Sequence, residues 1–248
     1  MEDQLKEFIL MMADSSMILG QRLGEWCGHG PVLEQDIAIT NIALDLIGEA
    51  RNYYRYLADV EGINEDEYPM KRDVRKFRNV LLTEQPNGNW ADTIMRQFIF
   101  DCYHYYHLEG MTESSDARLS AIAKKTIKES SYHLSFSGEW VIRLGDGTEE
   151  SHQKMQAGLE NMITYYDELF LPVQYEIFCR SKNICGDFNL IKKNASAKFN
   201  SIIHEATLTI PEMYHARKGG KSGLHSEHLG FILADMQFMQ RAYPGLTW

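Results

Sequence analysis

Apolar residues recur at helical spacing along nearly the whole chain, with no convincing alternating strand pattern, low-complexity segment or internal repeat. The pattern predicts an all-α fold. A first helix fits residues 3 to 26 and ends at Cys27-Gly28-His29-Gly30, with Pro31 placed to open the next. That second helix extends to Val60, with Ile37, Leu44 and Ile47 as its apolar stripe beside a polar row of Asn41, Asp45, Gly48 and Asn52. Tyr68-Pro69 begins a shorter helix through Thr83, and Pro86-Asn87-Gly88-Asn89 is a strong turn signal. Further helices fit 91 to 112 and, behind the cap Asp116, 117 to 144. Thr148 caps another, with Glu149 and Glu150 in its first turn, and Pro172 and Cys185-Gly186-Asp187 mark weaker boundaries. Two last helices, 189 to 209 and 226 to 242, flank a stretch that reads as flexible, Lys218 to Gly223. Long helices with short connections predict an elaborated antiparallel bundle, expected as a single domain over 1-248.

Composition narrows the partners. The chain has 248 residues, 44% of them hydrophobic, enough to bury a substantial core. A formal charge of -10 disfavours nucleic acid, whose phosphates are bound by concentrated Lys and Arg. No stretch reaches the roughly 18 uninterrupted apolar residues of a membrane span. The charged start Met1-Glu2-Asp3-Gln4 is unlike a secretory signal, so a cytoplasmic protein is expected. Cys27, Cys102, Cys179 and Cys185 match no zinc spacing and read as reduced, mostly buried thiols. Trp26-Cys27-Gly28-His29 reads as a helix exit rather than a thiol with an activating base.

Candidate chemistry lies where acids interrupt apolar helix faces. Asp14 sits between Met12 and Met17, Asp101 and His104 share a face with Phe98, and Glu129, Tyr132 and His133 share one with Phe136. Ferritin-like di-iron proteins place one carboxylate on each of two helices and Glu-x-x-His on each of two others, because positions three apart aim an oxygen and an imidazole at one iron. Asp45 and Glu129 hold the acid slots of that template, with Gly48 and Tyr132 where histidines belong. Glycine has no donor, and tyrosine is a poor replacement for a neutral imidazole. Asp14, Asp45, Gly48, Asp101, His104, Glu129, Tyr132 and His133 are therefore the candidate residues of a ferritin-like bundle with a degenerate di-iron site, holding neither metal nor catalytic residues. Asp101-x-x-His104 and Glu129-x-x-x-His133 keep open an alternative, an active di-iron or single-metal oxygenase. A freestanding helical binding protein is the third reading. The segment Gly219 to His228 carries the further options of partner or nucleotide contact and, through its His-x-Glu-His cluster, of metal.

Five runs carry a more specific signal: Leu19 to His29, Ile42 to Asn52, Glu84 to Thr93, Gly138 to His152 and Gly220 to Gly230. Together they closely resemble the structural C subunits of bacterial phenylacetyl-CoA epoxidases, which are multicomponent monooxygenases. The resemblance implies a non-catalytic ferritin-like subunit of phenylacetate breakdown, needed for assembly and paired with a homologous A subunit that carries the di-iron centre. It also implies a separate reductase with flavin and an iron-sulfur cluster, fed by NADPH. A contact with the acyl-CoA substrate at the subunit boundary and a homodimer of the isolated chain are further expectations.

Overall fold

The computed structural model describes residues 1–246, and among them there are ten α-helices, short 3-10 turns and no strand. In chain order the helices begin with α1 (Asp3–Gly24), α2 (Leu33–Glu61), α3 (Glu67–Lys71), α4 (Trp90–Met111) and α5 (Ala117–Gly145). They continue with α6 (Glu149–Met162), α7 (Tyr166–Leu169), α8 (Gln174–Ser181), α9 (Phe188–Glu205) and α10 (Glu227–Ala242). The chain divides into two compact units, Met1–Pro86 with the residues from Lys218 onward, and Asn87–Arg217.

The first unit is built on the α1–α2 hairpin. Lys6 pairs with Glu61 at 2.6 Å and Ser16 donates to Glu49 at 3.2 Å, so the two helices run antiparallel. Gly20 permits their close approach: a Cβ there would lie 2.8 Å from Ile47 Cγ1. Phe8 to Leu19 is buried throughout, including Asp14, Ser15 and Ser16. Gly62, at φ 68°, ends α2 in the left-handed conformation that glycine tolerates. The following segment departs from the expected helix through Thr83. Only α3 forms, followed by extended residues and one-turn 3-10 helices at Val74–Lys76 and Leu81–Glu84. Tertiary bonds decide this. Asp14 accepts from the backbone N–H of Arg78 at 2.8 Å, and the Arg72 guanidinium reaches the carbonyls of Tyr68 and Lys76, which pulls the segment onto α1. On this base α10 buries Leu229, Ile232 and Leu233 against Ile18 and Phe77.

The second unit is built on the α4–α5 hairpin, antiparallel because Ser137 reaches Asp101 while Ser120 reaches the carbonyl of Thr112. Its helix starts follow the sequence signals. Asn89 and Asp92 form a capping box on α4, Asp116 accepts from the amides of Arg118 and Leu119 at 3.0 Å, and Thr148 caps α6. Phe98 of α4 stacks on Phe199 of α9 with ring centroids 5.8 Å apart. Helix α9 stops at Glu205, short of the expected 209, where Thr207 turns to φ 58°.

Candidate functional site

Each hairpin buries its own set of polar residues. In the first unit Asp14 is fully buried at the middle of α1. Its carboxylate accepts from Tyr54 Oη at 2.6 Å, from the Arg78 amide at 2.8 Å, and from both terminal nitrogens of Arg72. Helix α2 contributes Glu49, 2% exposed and bonded to Ser16, with Tyr53 buried one turn further on. Burial, then the charge of Glu49, push the Tyr53 hydroxyl well above its ordinary pKa, so it stays protonated.

In the second unit Asp101 of α4 is 1% exposed and accepts from Gln97 at 2.7 Å and from Ser137 of α5 at 2.7 Å. His104, one turn on, stacks on Phe100 with centroids 4.9 Å apart. The buried face of α5 presents Thr126, Ser130, His133 and Ser137. Burial raises the Asp101 carboxyl to about 6, while His133, Ser137, Gln97 and His104 pull the other way. A folded-state value above the ordinary 3.8 means that the native chain binds this proton where the unfolded chain does not. This residue's contribution to stability is therefore least favourable above pH 6 and improves as the pH falls towards 4. Asp101→Asn, whose amide can answer Ser137 while its oxygen accepts from Gln97, is expected to raise stability at pH 7.5 by about 1–3 kcal/mol. Paired urea titrations of the two proteins should show that gain shrinking between pH 6 and pH 4.

The remaining candidates lie outside these faces. Asp45 and Glu129 are half-buried, Gly48 is exposed with open space around its absent Cβ, and Tyr132 is 50% exposed. The expected apolar stripe is corrected in the same way, since Ile37 and Leu44 face outwards at 52% and 61% exposure. The core face of α2 is instead Ile39, Ile42, Leu46, Tyr53 and Leu57. One residue of helix is 100° of rotation, so a register taken one step off sends a whole row to solvent. The acid-x-x-His spacing falls on Glu49-x-x-Asn52, whose acid is buried and whose asparagine is half-buried, and on the buried Ser130-x-x-His133, each with one member changed. The signal for this register was the run Leu46, Tyr53, Leu57 on α2 and Ile122, Thr126, His133 on α5.

A pair of irons in such helices takes four carboxylates and two imidazoles. Taken by itself, the α1–α2 hairpin buries the acids Asp14 and Glu49 and no histidine, and the α4–α5 hairpin buries one acid, Asp101, with His104, His107 and His133. Both oxygens of Asp14 are already held by a guanidinium. Neither hairpin by itself carries the donor set of a di-iron centre. Among the described residues no group of three or more His, Cys, Asp or Glu is placed to hold a metal ion.

Residues 1–248 match the family described as phenylacetic acid catabolic protein. The chain belongs to that family. It is also 46% identical over 247 residues to the C subunit of the 1,2-phenylacetyl-CoA epoxidase of Escherichia coli (strain K12), covering 99% of this chain and 100% of the relative. The all-helical fold of the described residues of this family member agrees with the ferritin-like expectation. None of its described helices is long and apolar enough to cross a membrane.

A further polar cluster in this family member was missed from sequence. Glu84, fully buried, accepts from Asn79 Nδ2 at 3.1 Å and from the amide of Ser226 at 2.6 Å, and it meets His225 Nδ1 at 3.0 Å. The expected flexible basic loop is corrected by this packing. Lys221 is 2% exposed, and a Cβ on Gly220 would lie 2.3 Å from the Asn79 carbonyl, so the loop is clamped onto residues 79 to 81. Ser226 does stand at the N-cap of α10, yet its hydroxyl makes no capping bond, and His225 serves Glu84 rather than a metal cluster. Cys102, Cys179 and Cys185 are buried free thiols and Cys27 is an exposed one. In the exit loop His29 Nδ1 lies 3.1 Å from the Cys27 carbonyl.

Proposed function

We propose that this chain is a non-catalytic structural and assembly subunit of a 1,2-phenylacetyl-CoA epoxidase in phenylacetic acid breakdown, with residues 1–248 acting as one cytoplasmic ferritin-like domain. Its degenerate positions are Asp14 and Glu49 in the α1–α2 hairpin and, separately, Asp101, Ser130 and His133 in the α4–α5 hairpin. The chain pairs with a homologous catalytic subunit whose di-iron centre performs the oxygen chemistry, and electrons reach that partner from a flavin and iron-sulfur reductase fed by NADPH. The observation that carries the non-catalytic reading is the engagement of Asp14. A guanidinium, a phenol and a backbone amide fill the positions that a metal ion would need on a ligand carboxylate. The full-length 46% identity to a protein named as the C component of such an epoxidase supports the assembly role.

The physical function that follows is positional. A subunit that needs no metal retains the long helices and the helix-packing surface while its interior is stabilised by organic charges. Reconstitution tests this: the isolated chain supplied with reductase, NADPH and phenylacetyl-CoA is expected to consume no oxygen, and adding it to the catalytic subunit is expected to raise turnover well above that of the catalytic subunit alone. Turnover by the isolated chain, or a catalytic subunit indifferent to its presence, would defeat the proposal.

A further inference from the structure

The α4–α5 hairpin encloses a seam of polar side chains. Gln97, Asp101, His104 and His107 recur at helical spacing on α4, and Thr126, Ser130, His133 and Ser137 do so on α5, all at most 2% exposed. Ser137 donates to Asp101 at 2.7 Å and, towards the other end of the hairpin, Ser120 reaches the Thr112 carbonyl, so the two rows run in antiparallel register. The Asp101 end is satisfied internally, with Gln97 and Ser137 each donating to one carboxylate oxygen. The other end is different. Neither the Thr126 nor the Ser130 hydroxyl has a hydrogen-bond partner among the described residues, although both oxygens are shielded from solvent.

Helical serines and threonines ordinarily escape this state by donating to the carbonyl four residues back, which would be that of Ile122 for Thr126 and that of Thr126 for Ser130. Neither bond is made. A buried hydroxyl without a partner is costly, and native interiors keep few of them. Two such groups one turn apart have Cβ atoms about 5–6 Å from each other, a span that two hydrogen bonds of about 2.8 Å meeting at one oxygen can close. The ligand that fits is small and able both to donate and to accept. We infer that a single ordered water molecule binds between Thr126 and Ser130 inside the α4–α5 hairpin. Helix carbonyls of the same turn keep a second lone pair and give it a further acceptor. Ser130 holds the acid place of its acid-x-x-His spacing, so the position that the template turns towards a metal is turned here towards water. This water site stands independently of the assembly role.

Oxygen-17 relaxation dispersion, which counts water molecules held inside a protein for longer than it tumbles, tests the site on the full chain. The double variant Thr126→Val, Ser130→Ala is expected to hold one such water fewer than the parent. Thr126→Ser, which keeps the hydroxyl, is expected to hold as many as the parent. Urea unfolding reads the energetics. Thr126→Val, close to isosteric, is expected to lower the folding equilibrium constant about three- to tenfold, because it strips a partner from a bound water. The double variant should lose less than the two single losses multiplied together, since both hydroxyls hold the same molecule. Dry hydroxyls give the opposite sign, a folding constant raised by removing an unanswered polar atom. An unchanged water count in the double variant, a count in Thr126→Ser as low as in the double variant, or a gain of stability in Thr126→Val overturns the inference. Should the double variant fail to fold, the sign of the stability change in Thr126→Val decides alone.

Discussion

Replacing Arg72 with methionine is expected to destabilise the chain by about 3–5 kcal/mol, because it leaves a fully buried carboxylate without its counter-charge. Asp14 is 0% exposed, and although Tyr54 and the Arg78 amide would still donate to it, neither carries charge. Arg72 also donates to the carbonyls of Tyr68 and Lys76, so the substitution loosens residues 68 to 76, while Arg78 keeps its bonds to Asp14 and Glu7 of α1. The cost of the single variant measures an orphaned charge, not the worth of the pair. Asp14→Asn combined with Arg72→Met removes both charges and is expected to recover more than half of the loss. Urea unfolding of the parent, both single variants and the double variant forms the cycle. Equal losses in the Arg72 single and the double variant would show that Arg72 matters through its backbone bonds alone.

The second large effect is expected at Glu84. Glu84→Ala removes the acceptor of the Ser226 amide and of Asn79 and the partner of His225 Nδ1, all in a buried setting. The other ring nitrogen of His225 lies 3.0 Å from the Phe77 carbonyl, so this side chain ties the start of α10 to two points of the segment beneath it. A loss of about 2–4 kcal/mol is expected from the unanswered groups. The physical consequence is local. Helix α10 is held at its start by this cluster and along its length by Gln237, which donates to the carbonyls of Pro69 and Arg72 at 2.8 and 2.9 Å. Releasing the first anchor exposes the apolar contact of Leu229, Ile232 and Leu233 with Phe77. Amide hydrogen exchange should quicken over Glu227–Ala242 by more than about tenfold, with the α4–α5 hairpin unchanged. Unchanged protection of α10 would assign its docking to the apolar contacts alone.

The two cases mark where sequence reading succeeds and where it stops. Helix starts were legible because their chemistry is local: Asp116, Thr148 and Asn89 each satisfy amides two or three residues away. The segment 68 to 83 was not legible as irregular, because what breaks it is Asp14, far away in sequence. The same holds for Glu84, whose partners at 225 and 226 are brought in by tertiary packing. The acid pattern was legible in kind, with a carboxylate at Asp14 and another at Asp101 on the correct faces. It was misplaced in register on α2 and α5. An acid beside a glycine or tyrosine looked like the broken template, whereas burial puts Glu49, Ser130 and His133 inside. Sequence periodicity fixes a helix more securely than it fixes which of two adjacent rows faces the core when both contain apolar residues.

Metal content of the complex tests the central claim most directly. The chain should be co-expressed with its catalytic subunit in iron-supplemented medium, the subunits separated without chelator, and iron and manganese counted in each by plasma mass spectrometry. Far less than one ion per copy of this chain is expected, with the iron following the catalytic subunit. Near-stoichiometric iron or manganese retained by this chain, and lost in Asp101→Asn, would contradict a metal-free interior.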